Sequence, residues 1–272
     1  MNARSFLILG LIAGLFAGLV TFVVAHQVGE PSVEAAIALE QAHSASPADP
    51  VTPAEHATDA GTGASAPAGH EHDEGAAEVS RGTQRTWGLL TGTVTMGFAL
   101  GGVLGLVAAA VAGRLGTMGI RQSTTLAGLL GFVSFAFVPF LKYPATPPAV
   151  GNADTIGSRT GLYFGFVLVS VAAAVLGTWL AVLLSARMGS FVGVLAGAGS
   201  YLVVMVVAGV LFPTVNEIGD FPADTLWSFR MASLTTLATL WGVMTVTLAG
   251  LLGRAQDRAA AAAPVPQPAL TR

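Results

Sequence analysis

Trp87-Gly-Leu-Leu-Thr-Gly-Thr-Val-Thr-Met-Gly-Phe-Ala-Leu-Gly-Gly-Val-Leu-Gly-Leu-Val-Ala-Ala-Ala-Val-Ala112 contains no charged residue and no histidine. A helix crosses the hydrocarbon core of a bilayer with about 20 such residues. Working outward, five more runs have the same character: Ser5–Ala25, Thr124–Leu141, Gly161–Leu184, Ser190–Phe212 and Met231–Leu252. The composition agrees, with 53% hydrophobic and only 10% charged residues and a mean hydropathy of +0.70. Soluble domains carry about 25% charged residues. An ordinary soluble enzyme and a wholly disordered chain are both excluded. The expected fold is all-α, a polytopic membrane helical bundle of about six transmembrane helices with a long disordered outer loop.

The first run is longer than the ~7–15 residues of a signal-peptide core. It also carries Gly10, Gly14 and Gly18 at the four-residue spacing of close helix packing. It is therefore expected to stay as a span. The ladders Gly88/Gly92, Gly97/Gly101/Gly105 and Gly189/Gly193/Gly197 predict further close contacts. Residues 1–26 form the first span, 27–86 a His- and acid-rich extracytoplasmic loop, 87–253 a five-helix region and 254–272 a disordered cytoplasmic tail. Within the loop, Pro31 to His43 reads as a short surface helix whose stripe is Val33, Ala36, Ile37 and Glu40. Its middle, Ser44 to Glu78, has too little apolar content to fold alone.

With both termini in the cytoplasm, the inner side holds Arg4, Arg114, Arg121, Arg187, Arg254, Arg258 and Arg272 against Asp257 alone. The outer side holds Arg81, Arg85, Lys142, Arg159 and Arg230 against the remaining acids. The basic count gives this orientation a slight preference, and the acidic outer face concentrates cations. A faint repeat also suggests itself: Pro139 and Pro213 each precede an acidic loop and an Arg-led return helix.

All five histidines (His26, His43, His56, His70 and His72) fall on the expected outer side. The tract His70-Glu71-His72-Asp73-Glu74 predicts loose capture of a divalent metal, imidazole suiting cobalt, nickel, copper and zinc. Glu40 and His43, spaced i and i+3, share a helix face and are a second candidate pair. A solvated acidic linker and a plain helix-surface pair are the competing readings. His26 marks the end of the first span.

No span carries a carboxylate or histidine for proton coupling. Thr91, Thr93 and Thr95, with Thr235, Thr236, Thr239, Thr245 and Thr247, are better read as bonding their own helices than as lining a path. There is no cysteine and no G-x-x-x-x-G-K-[ST] phosphate loop. No enzymatic activity is expected, and no nucleic acid among the partners.

Five blocks stand in order: Glu34-Ala-Ala-Ile-Ala-Leu-Glu40, Val79-Ser-Arg-Gly-Thr-Gln84, Val138-Pro-Phe-Leu-Lys-Tyr-Pro-Ala-Thr-Pro-Pro-Ala-Val-Gly151, Asn216-Glu217 and Phe221-Pro-Ala-Asp-Thr-Leu-Trp-Ser-Phe-Arg230. Together they resemble the CbtA family of predicted cobalt transporter subunits, over roughly Ser5 to Gly253. The resemblance implies a multi-pass protein of the inner (plasma) membrane that imports cobalt for cobalamin biosynthesis. It implies Co2+ (or Ni2+) as the transported ion rather than a tightly bound cofactor, and a small single-span, His-bearing CbtB-like partner. The blocks map to the outer ends of spans, where Lys142, Arg159 and Arg230 face Asp154, Glu217, Asp220 and Asp224. A rim of ion pairs and a metal site at Glu217 are equal readings. The expected function is the membrane subunit of a cobalt, or nickel, importer. The alternative is a non-transporting scaffold or metal-buffering partner.

Overall fold

The computed structural model describes residues 2–45, 80–148 and 150–262. Six helices in it are long and apolar enough to cross a membrane: α1 (Ala3–Ala42), α2 (Arg81–Val111), α3 (Ile120–Lys142), α4 (Ile156–Met188), α5 (Ser190–Leu211) and α6 (Ala223–Ala261). Their number and apolarity make this a multi-pass membrane protein. The order places the starts of α1, α3 and α5 at one end, rich in arginine, and the starts of α2, α4 and α6 at the other. The second end collects Glu30, Glu34, Glu40, Asp154, Glu217, Asp220 and Asp224, and is called the acidic rim below.

The helix expected over Pro31 to His43 is continuous with the first span. Proline has no N–H, and its ring collides with the carbonyl four residues earlier. The chain absorbs Pro31 by widening into a π-turn at Ala25–Gly29, and Pro139 by another at Phe132–Phe137. Neither proline ends its helix. Beyond the first π-turn, Ala36 is buried and Val33 and Ile37 half-buried, so the predicted stripe packs on the body while Glu40 faces outward. The last helix likewise runs on to Ala261, past Arg254, where the tail was expected to begin.

Four helices form the body. Phe6, Ala13 and Ala17 of α1, Leu104 and Ala108 of α2, Ala127 and Ala136 of α3, and Leu240, Trp241, Met244, Leu248 and Leu252 of α6 share one core. Glycine brings α1 and α2 to backbone contact. A Cβ on Gly14 would run into the Gly97 carbonyl, and one on Gly18 would lie 2.7 Å from the Thr93 carbonyl oxygen. Lipid offers no hydrophobic drive for helices to associate, so such close van der Waals packing carries the contact. Gly92 has nothing within 4 Å and Gly88 meets only its own helix. That ladder makes no helix contact.

The other two spans form a hairpin. Gly189, at φ +92°, turns α4 directly into α5, a left-handed conformation that glycine adopts without steric cost. Gly189 is thus a turn residue rather than a rung, while Gly193 and Gly197 do meet α4 at Ala181 and Gly177. Phe166, Ala173, Met205 and Ala208 make a second, smaller core, against which Val138 of α3 and Tyr143 just beyond it also pack. Packing does not follow the suggested repeat, because α5 lies on α4 while α6 lies on α1 and α3. Outward surfaces are apolar: Leu168 is 71% and Val210 81% exposed. In water such a surface would aggregate; among acyl chains it is solvated. Four of the threonines singled out in the spans spend their hydroxyls locally, Thr93 on Leu89 O, Thr235 on Met231 O, Thr236 on Ala232 O and Thr239 on Thr235 O.

Candidate functional site

At the acidic rim, the segments between spans are held by a few long-range contacts. Arg81 pairs with Glu30 at 2.6 Å and Arg85 with Glu34. These two steps, each four residues apart, staple the extension of α1 to the start of α2. His26 stacks on Phe22 and places Nδ1 3.3 Å from the Arg85 carbonyl oxygen. It serves this junction, in keeping with its place at the end of the first span.

The corner after α3 reaches across to the end of α5. Lys142 Nζ donates to the Gly209 carbonyl at 2.9 Å, and the Tyr143 hydroxyl to the Pro213 carbonyl at 2.7 Å. Both acceptors lie where the α5 ladder ends: Pro213 has no N–H, and Phe212 before it is extended (φ −73°, ψ 135°).

Glu217 is the most engaged carboxylate of the rim. Its Oε2 accepts from the Asn152 N–H and the Thr155 hydroxyl, both at 2.9 Å. The same oxygen lies 3.6 Å from Arg159 Nε. The backbone hydrogen bond from Asn152, then that from Thr155, and more weakly the charge of Arg159, hold its pKa below the ordinary carboxylate value. Gly151, at φ +99°, permits the arrangement: the Arg159 guanidinium occupies the space a Cβ would take. Of the two readings offered for this rim, the ion pair is present. Lys142 pairs with a carbonyl instead of an acid, and Arg230 Nε is buried with no hydrogen-bond partner among the described residues.

Two spaces meet at Arg159 and Glu217. The outer is an open groove of about 1020 Å³ bounded by Glu40, Asn152, Asn216, Glu217 and Asp220. The inner is a cavity of about 570 Å³ between the body and the α4–α5 hairpin, lined by Lys142, Tyr143, Arg159, Tyr163, Arg230 and Leu237 among others. The groove therefore brings together Glu40 and Glu217, two of the predicted metal ligands. His43 lies on the helix leading out of it. His70, Glu71, His72 and Asp73 lie outside the described residues. Among the described residues no three His, Asp or Glu side chains stand close enough to hold a metal ion.

The rim and the cavity are built from the same blocks of sequence that stand in order along the chain. Residues 3–253 match a family described as Probable cobalt transporter subunit (CbtA). The chain belongs to the CbtA family. Neither a curated protein nor a solved structure matches it. For a member of this probable cobalt transporter family the transported ion is cobalt, and a subunit implies at least one partner. Sequence reasoning found Glu217, Lys142, Arg159 and Arg230. It missed Asn152 and Thr155, which hold Glu217, and Tyr143 and Tyr163, which wall the cavity. Asn152 and Thr155 carry a local signal, an Asn two residues before an Asp whose N–H its Oδ1 caps at 3.1 Å.

Proposed function

We propose that this CbtA chain is the membrane subunit of a cobalt importer, with nickel as a second cargo, and that it gathers the divalent cation at the acidic rim. The observation that carries the proposal is the convergence of Glu40, Glu217 and Asp220 on one open groove. Three carboxylates against one arginine make the groove attractive to cations without a preformed coordination shell. Glu217 contributes charge rather than an open ligand, since its Oε2 is occupied. In this reading His70, Glu71, His72 and Asp73, with Glu40 and His43, raise the local concentration of metal above the groove. The rim faces outward from the plasma membrane and the arginine end faces the cytoplasm. Cobalt delivered this way supplies cobalamin biosynthesis, and a small single-span, His-bearing CbtB-like subunit completes the importer.

Orientation is checked with reporters. A fusion after Arg272 is expected to report cytoplasm, and an insertion near Ala60 the outer side. Both on one side would mean an even number of crossings between them, against the five spans described.

Transport is checked by uptake of radioactive cobalt into cells expressing the chain with and without the small partner. Saturable uptake that needs both chains supports the importer. Binding without accumulation under every pairing points instead to a scaffold or metal-buffering role. Replacing His56, His70 and His72 with Gln is expected to raise the cobalt concentration for half-maximal uptake while leaving the maximal rate nearly intact. A tethered capture tract changes local concentration, not passage. Loss of all uptake at saturating cobalt would make those histidines part of the pathway.

A further inference from the structure

The inner cavity has the wrong sign for a bare divalent cation. Lys142, Arg159 and Arg230 line it against Glu217 alone, and that carboxylate is already paired with Arg159. Lys142 meets the Gly209 carbonyl and, at 5.8 Å, the Tyr143 ring, and no carboxylate among the described residues. Arg230 makes no ion pair or hydrogen bond among the described residues, and its Nε is shut off from solvent. An unmatched guanidinium in a partly buried site costs free energy unless an anion meets it. The walls below are apolar and aromatic: Phe140, Tyr163, Phe164 and Leu237. The flank is open, since Phe164 is 59% exposed within a span apolar enough to lie among acyl chains.

We infer that this cavity binds the phosphate of an anionic phospholipid, with Arg230 and Lys142 holding the headgroup and an acyl chain lying against Phe164 and Leu237. Guanidinium is suited to phosphate because its planar fork gives two parallel charged hydrogen bonds. Basic pockets between transmembrane helices hold anionic lipid headgroups at the cytoplasmic face of other membrane proteins, and the same charge-assisted hydrogen bonds are available at the opposite face. A free oxyanion shares the headgroup chemistry but would leave the apolar flank without an occupant. The lipid also fills the space left between the four-helix body and the α4–α5 hairpin beside the contact that Phe132–Lys142 of α3 makes with α4.

The test uses the full chain in nanodiscs of phosphatidylcholine, with phosphatidylglycerol or inorganic phosphate added, read by thermal unfolding and by native mass spectrometry. Phosphatidylglycerol is expected to raise the Tm and to remain as one bound lipid per chain. Arg230→Gln is expected to weaken that binding by about tenfold or more and to leave the Tm in phosphatidylcholine alone nearly unchanged. Arg230→Lys should restore part of the effect. If Arg230→Gln fails to accumulate, Lys142→Gln carries the same comparison. An equal response to phosphatidylcholine, or an undiminished one in both Gln variants, would overturn the proposal. Inorganic phosphate matching the lipid effect would assign the site to a free anion and overturn the lipid. None of these readouts involves cobalt, so the result stands apart from the transport proposal.

Discussion

Gly14→Leu is expected to remove most folded protein from the membrane. Gly14 faces Gly97 and Gly101 of α2 so closely that even a Cβ meets the Gly97 carbonyl and lies 2.9 Å from the Gly101 Cα. The obstacle is backbone on both sides, and no rotamer change relieves it. Overpacking a core costs about 1–3 kcal/mol when neighbouring side chains can shift. Here two helices must part, so the upper end of that range is the expected minimum. Parting them also opens the core around Ala13 and Ala17, which are fully buried. Gly92→Leu supplies the contrast, since Gly92 lies on the same helix as Gly97 with nothing within 4 Å. That variant is expected to accumulate and unfold like the wild type. Membrane abundance and resistance to SDS-induced unfolding check both. Equal damage from the two changes would show that α1 and α2 pack in another register.

That pair of glycines also shows how far the sequence alone reaches. Hydropathy finds every span, because the bilayer demands an uncharged run of fixed length whatever the neighbours are. It does not say which face of a span meets protein. Gly10, Gly14 and Gly18 form a ladder against α2, yet Gly88 and Gly92, spaced identically, do not. In lipid both kinds of face are apolar, and a small residue is tolerated on either. The expected repeat failed for a related reason. Its landmarks, a proline and an arginine at span ends, record local chain geometry and say nothing of helix neighbours. Pro139 further illustrates the limit, since a π-turn takes up the lost hydrogen bond and the helix continues to Lys142.

The rim was legible in its residues and not in its pairing. Charges at span ends announce themselves, because a charge inside the hydrocarbon is costly. Their partners come from far along the chain: Lys142 meets Gly209, Tyr143 meets Pro213, and Asn152 meets Glu217. No local pattern encodes those separations. The consequence is functional. Acidic residues Glu40, Glu217 and Asp220 line the outer groove, while Lys142, Arg159 and Arg230 line the cavity beneath. Under the proposed importer reading, a cation gathered in the groove would meet positive charge at Arg159, so the cavity is no simple continuation of the groove.

Glu217→Gln tests whether that boundary is built as described. Gln retains an oxygen that accepts from the Asn152 N–H or the Thr155 hydroxyl, but it loses the charge that faces Arg159. The guanidinium then has no opposing charge beside Lys142 and Arg230, and the loop carrying Asn152 is held less firmly. Lower membrane abundance and a lower Tm are expected, with cobalt uptake falling only in proportion to the protein present. The pH dependence fixes the cause. A carboxyl whose folded pKa lies below its ordinary value of 4.5 contributes stability that is present above that value and lost as pH falls through the folded one. The Tm gap between wild type and variant should accordingly be full at about pH 7 and close on acidification below about 4.5, where protonated Glu217 resembles Gln. A variant with normal abundance, no Tm gap at neutral pH and no cobalt uptake would make Glu217 a metal ligand instead of the rim's anchor.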